Sequence, residues 1–287
     1  VKKSFLALAV LLPLAAGLTK PAAAATPPAV QDALVKAIQG PQRTPAFVKR
    51  DRYRHPLKTL EFFGIRPDMR VVEVLPGAGW YTEILAPFLR DHGTLIEATP
   101  AASSPNPFMR KGAIAYQRKL ASDPAVYGRI RLEPFEPPSY MALGAPDSAN
   151  MILTFLNMHD FMYENVHGDV TDVIIDRFFR NAFQTLKPGG ILGVVAHRAP
   201  NSMPITQSFK LARLPQAFVI RQAERAGFRL VATSEISANP KDPRNIPVFN
   251  LPPMLMKGAK DRSKYEAIGP ADDMTLKFVK PAEAGNK

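Results

Sequence analysis

From Arg70 onward, short apolar runs alternate with stretches in which apolar residues return every three or four positions. Arg70–Leu75 (RVVEVL) predicts a buried strand, and Trp80–Arg90 predicts a helix, because Tyr81, Ile84, Leu85, Phe88 and Leu89 share one face. Thr94–Ala98 predicts a second strand, Met109–Ala121 a helix with a basic face, and Arg129–Glu133 a third strand. Asn150–Leu156 is a continuous apolar run of the kind buried on both faces of a parallel sheet. Val170–Leu186 predicts a long helix, opened by Thr171 and Asp172 and stopped by Lys187-Pro-Gly-Gly190. Ile191–Ala196 comes next as a central strand, Gln216–Ala226 as a helix ended by Gly227, and Phe228–Glu235 and Asp273–Lys280 as the last two strands. The alternation predicts an α/β protein with a doubly wound, mostly parallel sheet. Ligands of such sheets bind beyond the carboxyl ends of the strands. Those ends are Leu75–Tyr81, Ala98–Pro100, Glu133–Glu136, Asn157–Asp160 and His197–Arg198.

The N-terminus departs from this pattern. Lys2 and Lys3 precede an apolar run, Phe5–Leu18, that is short for a bilayer span, and Ala22–Ala25 supply small residues for cleavage. The pattern predicts an export signal over residues 1–25, and hence the periplasm; an uncleaved membrane anchor is the alternative. Residues 26–45, with a short helical pattern at Val30–Ile38, read as a tail or arm, and 46–287 as one domain. The 29 prolines cluster between the predicted elements and mark loops and surface crossings.

Composition narrows the chemistry. The absence of Cys excludes disulfides, thiolate nucleophiles and Cys-ligated metal. The net charge is +12, to which Lys2, Lys3 and Lys20 of the leader contribute; the remainder of the chain is still basic and favours anionic partners. No arginine-rich run interleaved with aromatics is present, which speaks against nucleic acid. For an exported chain the expected partners are a small-molecule substrate and anionic envelope surfaces.

In Glu73-Val-Leu-Pro-Gly-Ala-Gly-Trp-Tyr81, Gly77 and Gly79 follow a strand and open a helix. Glycine permits positive φ and close approach of a ligand to the backbone, and a helix start offers free N–H groups. Thr82 stands where G-x-G-x-x-G requires its third glycine, which disfavours a dinucleotide. With "NMILTFLNMHDF", "FFRNAFQTLKPGGILGVVAHRA" and "AERAGFRLVATSE", the turn resembles the successive signatures of class I S-adenosylmethionine-dependent methyltransferases over roughly residues 55–280. "PGAGWYTEILAP", "NMHDF" and "HRA" are similar to a group of predicted bacterial methyltransferases that carry signal peptides.

The resemblance implies a seven-stranded Rossmann-like sheet with an antiparallel last strand and S-adenosylmethionine as cofactor. It implies that Pro76, Gly77 and Gly79 hold the cofactor's amino-acid end and that Glu73 holds its ammonium, with Leu75 in place of the family's first glycine. Thr99 falls where the family has its ribose-binding carboxylate; Glu97, two residues earlier on the same face, is the alternative. Glu136 is the matching adenine-side acid. Trp80 and Tyr81 either pack on the sulfonium or belong to the core. Asn157, His159 and Asp160 fall where the transferred methyl group is faced, His159 as general base oriented by Asp160 and Asn157 placing a ligand group; alternatively they cap a turn. His197 and Arg198 lie at the same edge, Arg198 gripping an anionic substrate or neutralising a nearby acid. Arg52, Arg54 and His55 lie in a basic run over the site or on a solvated face. His159, Asp160, His167 and His197 lack H-x-x-H or H-E-x-x-H spacing, so no metal is expected. The function implied is methyl transfer to an unidentified, anionic small molecule or envelope component. The rival is an exported, non-catalytic binding or structural protein on a degenerate methyltransferase fold, which Leu75 and Thr99 favour.

Overall fold

The computed structural model describes residues 26–164, 170–256 and 261–282. The predicted export segment, 1–25, and His167 lie outside them. Among the described residues, seven strands form the main path of the sheet: β1 (Arg70–Val74), β2 (Thr94–Thr99), β3 (Arg131–Pro134), β4 (Ala149–Phe155), β5 (Leu186–Ala199), β6 (Arg229–Ser234) and β7 (Asp273–Val279). Their spatial order is β3-β2-β1-β4-β5-β7-β6, with the two-residue strand Leu214–Pro215 paired beside β5. The first five strands are parallel, and β7 runs antiparallel between β5 and β6.

Strand alternation divides the core into two layers. On β1, Val71 packs into one layer while Val72 and Val74 pack into the other. Helices α1 (Pro28–Ile38), α2 (Pro56–Phe63) and α3 (Thr82–Leu89) close the first layer. Helices α5 (Val173–Thr185) and α6 (Gln216–Arg225) close the second, α5 inserting the fully buried Phe178 and Phe179. Each such side chain contributes roughly 1.5–3 kcal/mol of transfer free energy. Helix α4 (Pro107–Ser122) follows β2, N-capped by the Asn106 side chain. None of the described helices is long and apolar enough to cross a membrane.

The sequence-predicted stop at Lys187–Gly190 is absorbed into β5. The register of β4 on β5 jumps from Ala149↔Leu186 to Met151↔Ile191, so the extra residues bulge out of the ladder. Gly189 takes φ +79° there, and the backbone of Gly189 and Gly190 pairs with Lys280. The helix predicted from Val170 begins at Val173 because Val170–Thr171 is extended. Trp80 and Tyr81 belong to the turn that precedes α3.

The segment before β1 is pinned over the sheet. Leu34 of α1 is fully buried against the first layer. Glu83 of α3 accepts from the Thr44 N–H at 2.8 Å and the Thr44 hydroxyl at 2.6 Å, and lies 3.4 Å from Arg43 Nε. Arg43 also reaches Asp51 at 2.8 Å. This cluster fixes the one-turn helix Asp51–Arg54 above the carboxyl ends of the strands.

Candidate functional site

After β1 the chain turns through left-handed backbone at Leu75 (φ 51°), Gly77 (φ 61°) and Gly79 (φ 83°). Leucine at the first position keeps the backbone that glycine adopts freely, at a cost of about 1–2 kcal/mol. Leu156, just beyond β4, repeats the strain with φ 61°. Asn157 ties the two strained points together: its Nδ2 donates to the Val74 carbonyl at 2.7 Å, and its Oδ1 accepts from the Thr154 hydroxyl. The Asn157 amide is therefore engaged by protein at both ends.

This edge opens into a cleft of about 850 Å³. Glu73, Pro76, Gly77, Trp80, Tyr81, Thr99, Asn157, Asp160 and Arg54 line it, so most sequence-predicted positions meet there. A Cβ placed on Gly77 would meet nothing within 4 Å, so this glycine borders open space. A Cβ on Gly79 would lie 3.0 Å from the Tyr116 ring, so this glycine admits helix packing.

Behind the turn, Glu73 and Glu97 are paired in register on β1 and β2, both buried. The Thr82 hydroxyl donates to Glu73 Oε2 at 3.0 Å, so the Tyr116 hydroxyl, 2.9 Å away, donates to Thr82. Neither oxygen of Glu97 accepts from an N–H or O–H donor of good geometry; its polar neighbours are Glu73, Thr82 and Tyr116. Burial, opposed by the hydrogen bonds, lifts Glu73 to about 7. Burial and the Glu73 charge lift Glu97 well above the carboxylate range. A proton on Glu97 supplies the donor that the pair lacks. Glu97 thus faces Glu73 and does not line the cleft; Thr99, two residues later, does.

A second chamber, about 200 Å³, adjoins the cleft across Arg50, Arg54 and Leu156, which line both. His197 lies in it, with Nδ1 2.6 Å from Asp273 Oδ1. Antiparallel pairing of β5 and β7 places these two residues opposite each other. The His159 ring lies 5.7 Å from the His197 ring and 6.1 Å from that of Phe249. Burial and then His197 depress His159 to about 3; Asp160, whose Oδ1 is 3.5 Å from His159 Nε2, is exposed.

Several sequence-predicted positions find other partners. Arg198 is bound to Glu235 at 2.7 Å and Asp272 at 3.2 Å and lines neither chamber, so its charge is engaged by acids of the fold. Trp80 donates its ring N–H to the Phe47 carbonyl and carries the guanidiniums of Arg43 and Arg54 over its ring, at 4.9 and 4.7 Å. Tyr81 stacks on Phe155 at 3.5 Å. Both aromatics are core side chains at the cleft wall. Glu136 accepts from the Ser104 hydroxyl at 2.7 Å, with Pro137 beside it on the wall. Arg52 is exposed over the Tyr53 ring, and His55 lines neither chamber. Among the described residues, no three His, Asp or Glu side chains gather as a metal site.

Arg50 and Asp273 were not legible as site residues. Arg50 lies in a run of charges that reads as a solvated face, and Asp273 is separated from His197 by 76 residues. Only the register of a non-adjacent strand brings Asp273 to the site.

No protein-family model matches the chain, and a search of curated proteins finds no match. Solved structures do match. The chain is similar to a SAM-dependent methyltransferase from Aquifex aeolicus, at 15% identity and a TM-score of 0.50, covering 87% of this chain and 98% of that one. It is also similar to the [4+2]-cyclase SpnF, at 14% identity and a TM-score of 0.56, covering 88% of this chain and 93% of that one. The chain has the class I methyltransferase fold. The two names carry different chemistries, so activity has to be argued from the site.

Proposed function

We propose that the protein transfers a methyl group from S-adenosylmethionine to an anionic acceptor. The observation that carries this reading is the left-handed turn at Leu75, Gly77 and Gly79 bordering a cleft at the ends of β1, β2 and β4. The residues present fit the cofactor. Gly77 leaves its Cβ direction empty for backbone approach, Glu73 offers a carboxylate to an ammonium, and Thr99 offers a hydroxyl to the ribose. When bound, the cofactor supplies an electrophilic methyl carbon on a positively charged sulfur.

The chain's own part is positioning and proton removal. Nδ1–H of His197 donates to Asp273, which leaves Nε2 bare to accept a proton from the acceptor's nucleophile. This role passes from His159 to His197, because His159 is buried, held neutral and too weakly basic. Asp160 and Asn157 shape the wall of the larger cleft. Export to the periplasm is part of this proposal and rests on the sequence of residues 1–25.

Thr99 favours a second reading, a protein that has kept the fold and lost the cofactor, since a hydroxyl holds ribose less firmly than a carboxylate. Calorimetry with S-adenosylhomocysteine separates the two. Binding that Gly77→Val abolishes supports the methyl-transfer reading; no heat and no thermal shift at millimolar ligand sinks it.

A further inference from the structure

Arg50 and Arg54 differ from the buried arginines among the described residues. Arg43, Arg198 and Arg213 each reach a carboxylate within 4 Å. Among the described residues, the guanidiniums of Arg50 and Arg54 reach none, and no side-chain hydrogen bond stabilises either of them. They sit one helical turn apart on the pinned segment Asp51–Arg54 and its N-cap, facing both chambers. Each depresses or is depressed by its surroundings: burial, then the Arg54 charge, lowers Arg50 to about 10, and burial lowers Arg54. Two partly buried cations side by side, neither in an ion pair and with the chamber's one carboxylate, Asp273, engaged by His197, leave room for an anion.

Apart from the His197–Asp273 pair, the rest of the second chamber is apolar. Tyr53, Phe249, Pro252 and Met254 line it, and Tyr53, Phe249 and Met254 are exposed at its mouth. Its volume of about 200 Å³ equals roughly six or seven waters at ~30 Å³ each, which suits a ring or a short acyl segment. The charge of the occupant is bounded as well. Asp273, Glu73 and Asp51 already act on the Arg54 charge, so a monoanion is accommodated better than a dianion.

We propose that this second chamber binds the methyl acceptor as a small carboxylate with an apolar body, its carboxylate on Arg50 and Arg54 and its body against Tyr53 and Phe249. The assignment rests on the methyl-transfer reading for the word acceptor, while the carboxylate site itself rests on the second chamber alone. His197 shares the chamber and lies within the same enclosure as the bound acid. Arg50 and Arg54 act as binding residues and take no proton.

The test uses 3-phenylpropanoate and its uncharged amide, titrated by calorimetry into the protein with and without S-adenosylhomocysteine. The acid is expected to bind and the amide to bind at least about tenfold more weakly, the loss typical of one charge-assisted hydrogen bond. Arg50→Gln and Arg54→Gln should each weaken the acid by about tenfold or more while leaving the amide unchanged. Should Arg54→Gln fail to fold, Arg50→Gln and Phe249→Ala, at partly exposed positions, decide the matter; Phe249→Ala should weaken acid and amide together. Equal binding of acid and amide, or acid binding untouched by Arg50→Gln, overturns the site. S-adenosylhomocysteine binding in the same series reports on the other reading. Retained acid selectivity without cofactor binding overturns methyl transfer and leaves the carboxylate site standing. Cofactor binding without acid selectivity overturns the site alone.

Discussion

Glu73 and Glu97 face each other in register across β1 and β2, and among the described residues neither has a cation within ion-pair distance. Glu83, by contrast, has Lys119 and Arg43 at hand. The folded state therefore holds protons on the Glu73–Glu97 pair that the unfolded chain releases above 4.5. Where the native state binds more protons, stability falls as pH rises. The pair's destabilising contribution should thus set in from about 4.5 and be near complete for Glu73 once pH passes about 7, continuing upward for Glu97. Glu97→Gln should raise the melting temperature at pH 8 and change it little at pH 4. Thermal scans of both proteins across pH 4–9 check this; a Gln variant that is less stable than wild type at pH 8 contradicts the paired-acid account.

The strained turn makes an unusual substitution order. Leu75 is partly buried against the second layer and carries φ 51°. Leu75→Ala loses side-chain packing and keeps the strain. Leu75→Gly loses the same packing but relieves about 1–2 kcal/mol of left-handed cost, partly offset by the backbone entropy of glycine, about 0.5–1 kcal/mol. Glycine should therefore be tolerated as well as alanine or better, the reverse of the order seen in helices and strands. Chemical denaturation of the two variants decides it.

Gly77 and Gly79 should separate binding from stability. A side chain at Gly77 enters open cleft space, so Gly77→Ala should cost about 1–2 kcal/mol of stability from its φ alone and at least tenfold in S-adenosylhomocysteine affinity. Gly79→Val adds a clash with Tyr116 at 3.0 Å and Lys119 at 3.3 Å to the same strain, so its loss of stability should be the larger. Calorimetry and denaturation on the same preparations give both readouts.

Arg198 offers the opposite test. Its partners Glu235 and Asp272 belong to the fold, and Asp272 is fully buried. Arg198→Ala leaves Asp272 with Arg244 as its remaining cation at 2.8 Å, beside the Asn239 N–H, and should destabilise by up to about 3 kcal/mol. Ligand affinity measured well below the melting temperature should not change. A loss of affinity without loss of stability would return Arg198 to the substrate site.

The fold was legible because its signal is local. Runs such as Asn150–Leu156 and the turn around Gly77 carry their own periodicity and glycine chemistry. The site was legible only in part, since its contacts depend on register between strands and on how an arm lies over the sheet. Glu97 reads as a ribose ligand until β2 is set against β1, which turns it toward Glu73. Arg198 reads as a free cation at the sheet edge until Glu235 and Asp272 arrive from the last two strands. His159 carries the more prominent motif, yet the imidazole with an orienting acid is His197, because β7 returns antiparallel beside β5.

Thr99 carries the sharpest test of the cofactor reading. It ends β2, lines the cleft and has only 8% of its surface exposed, so its side chain looks into the cavity from a fixed backbone whose carbonyl holds the Phe135 N–H at 2.9 Å. Glu97 does not reach the ribose hydroxyls while it faces Glu73, because in that position it lies behind the cleft wall. An acid at Thr99 meets no such obstacle and would accept from two hydroxyls with charge assistance, worth about 1.5–3 kcal/mol. Thr99→Asp should therefore tighten S-adenosylhomocysteine binding by about ten- to a hundredfold. Calorimetry of the wild type, Thr99→Asp and Thr99→Asn supplies the comparison, the Asn variant having the same shape without the charge. Tightening by Asp and not by Asn places the ribose at the end of β2. Weakening by Asp, with wild-type binding intact, moves the ribose away from Thr99 and reopens the assignment of β2.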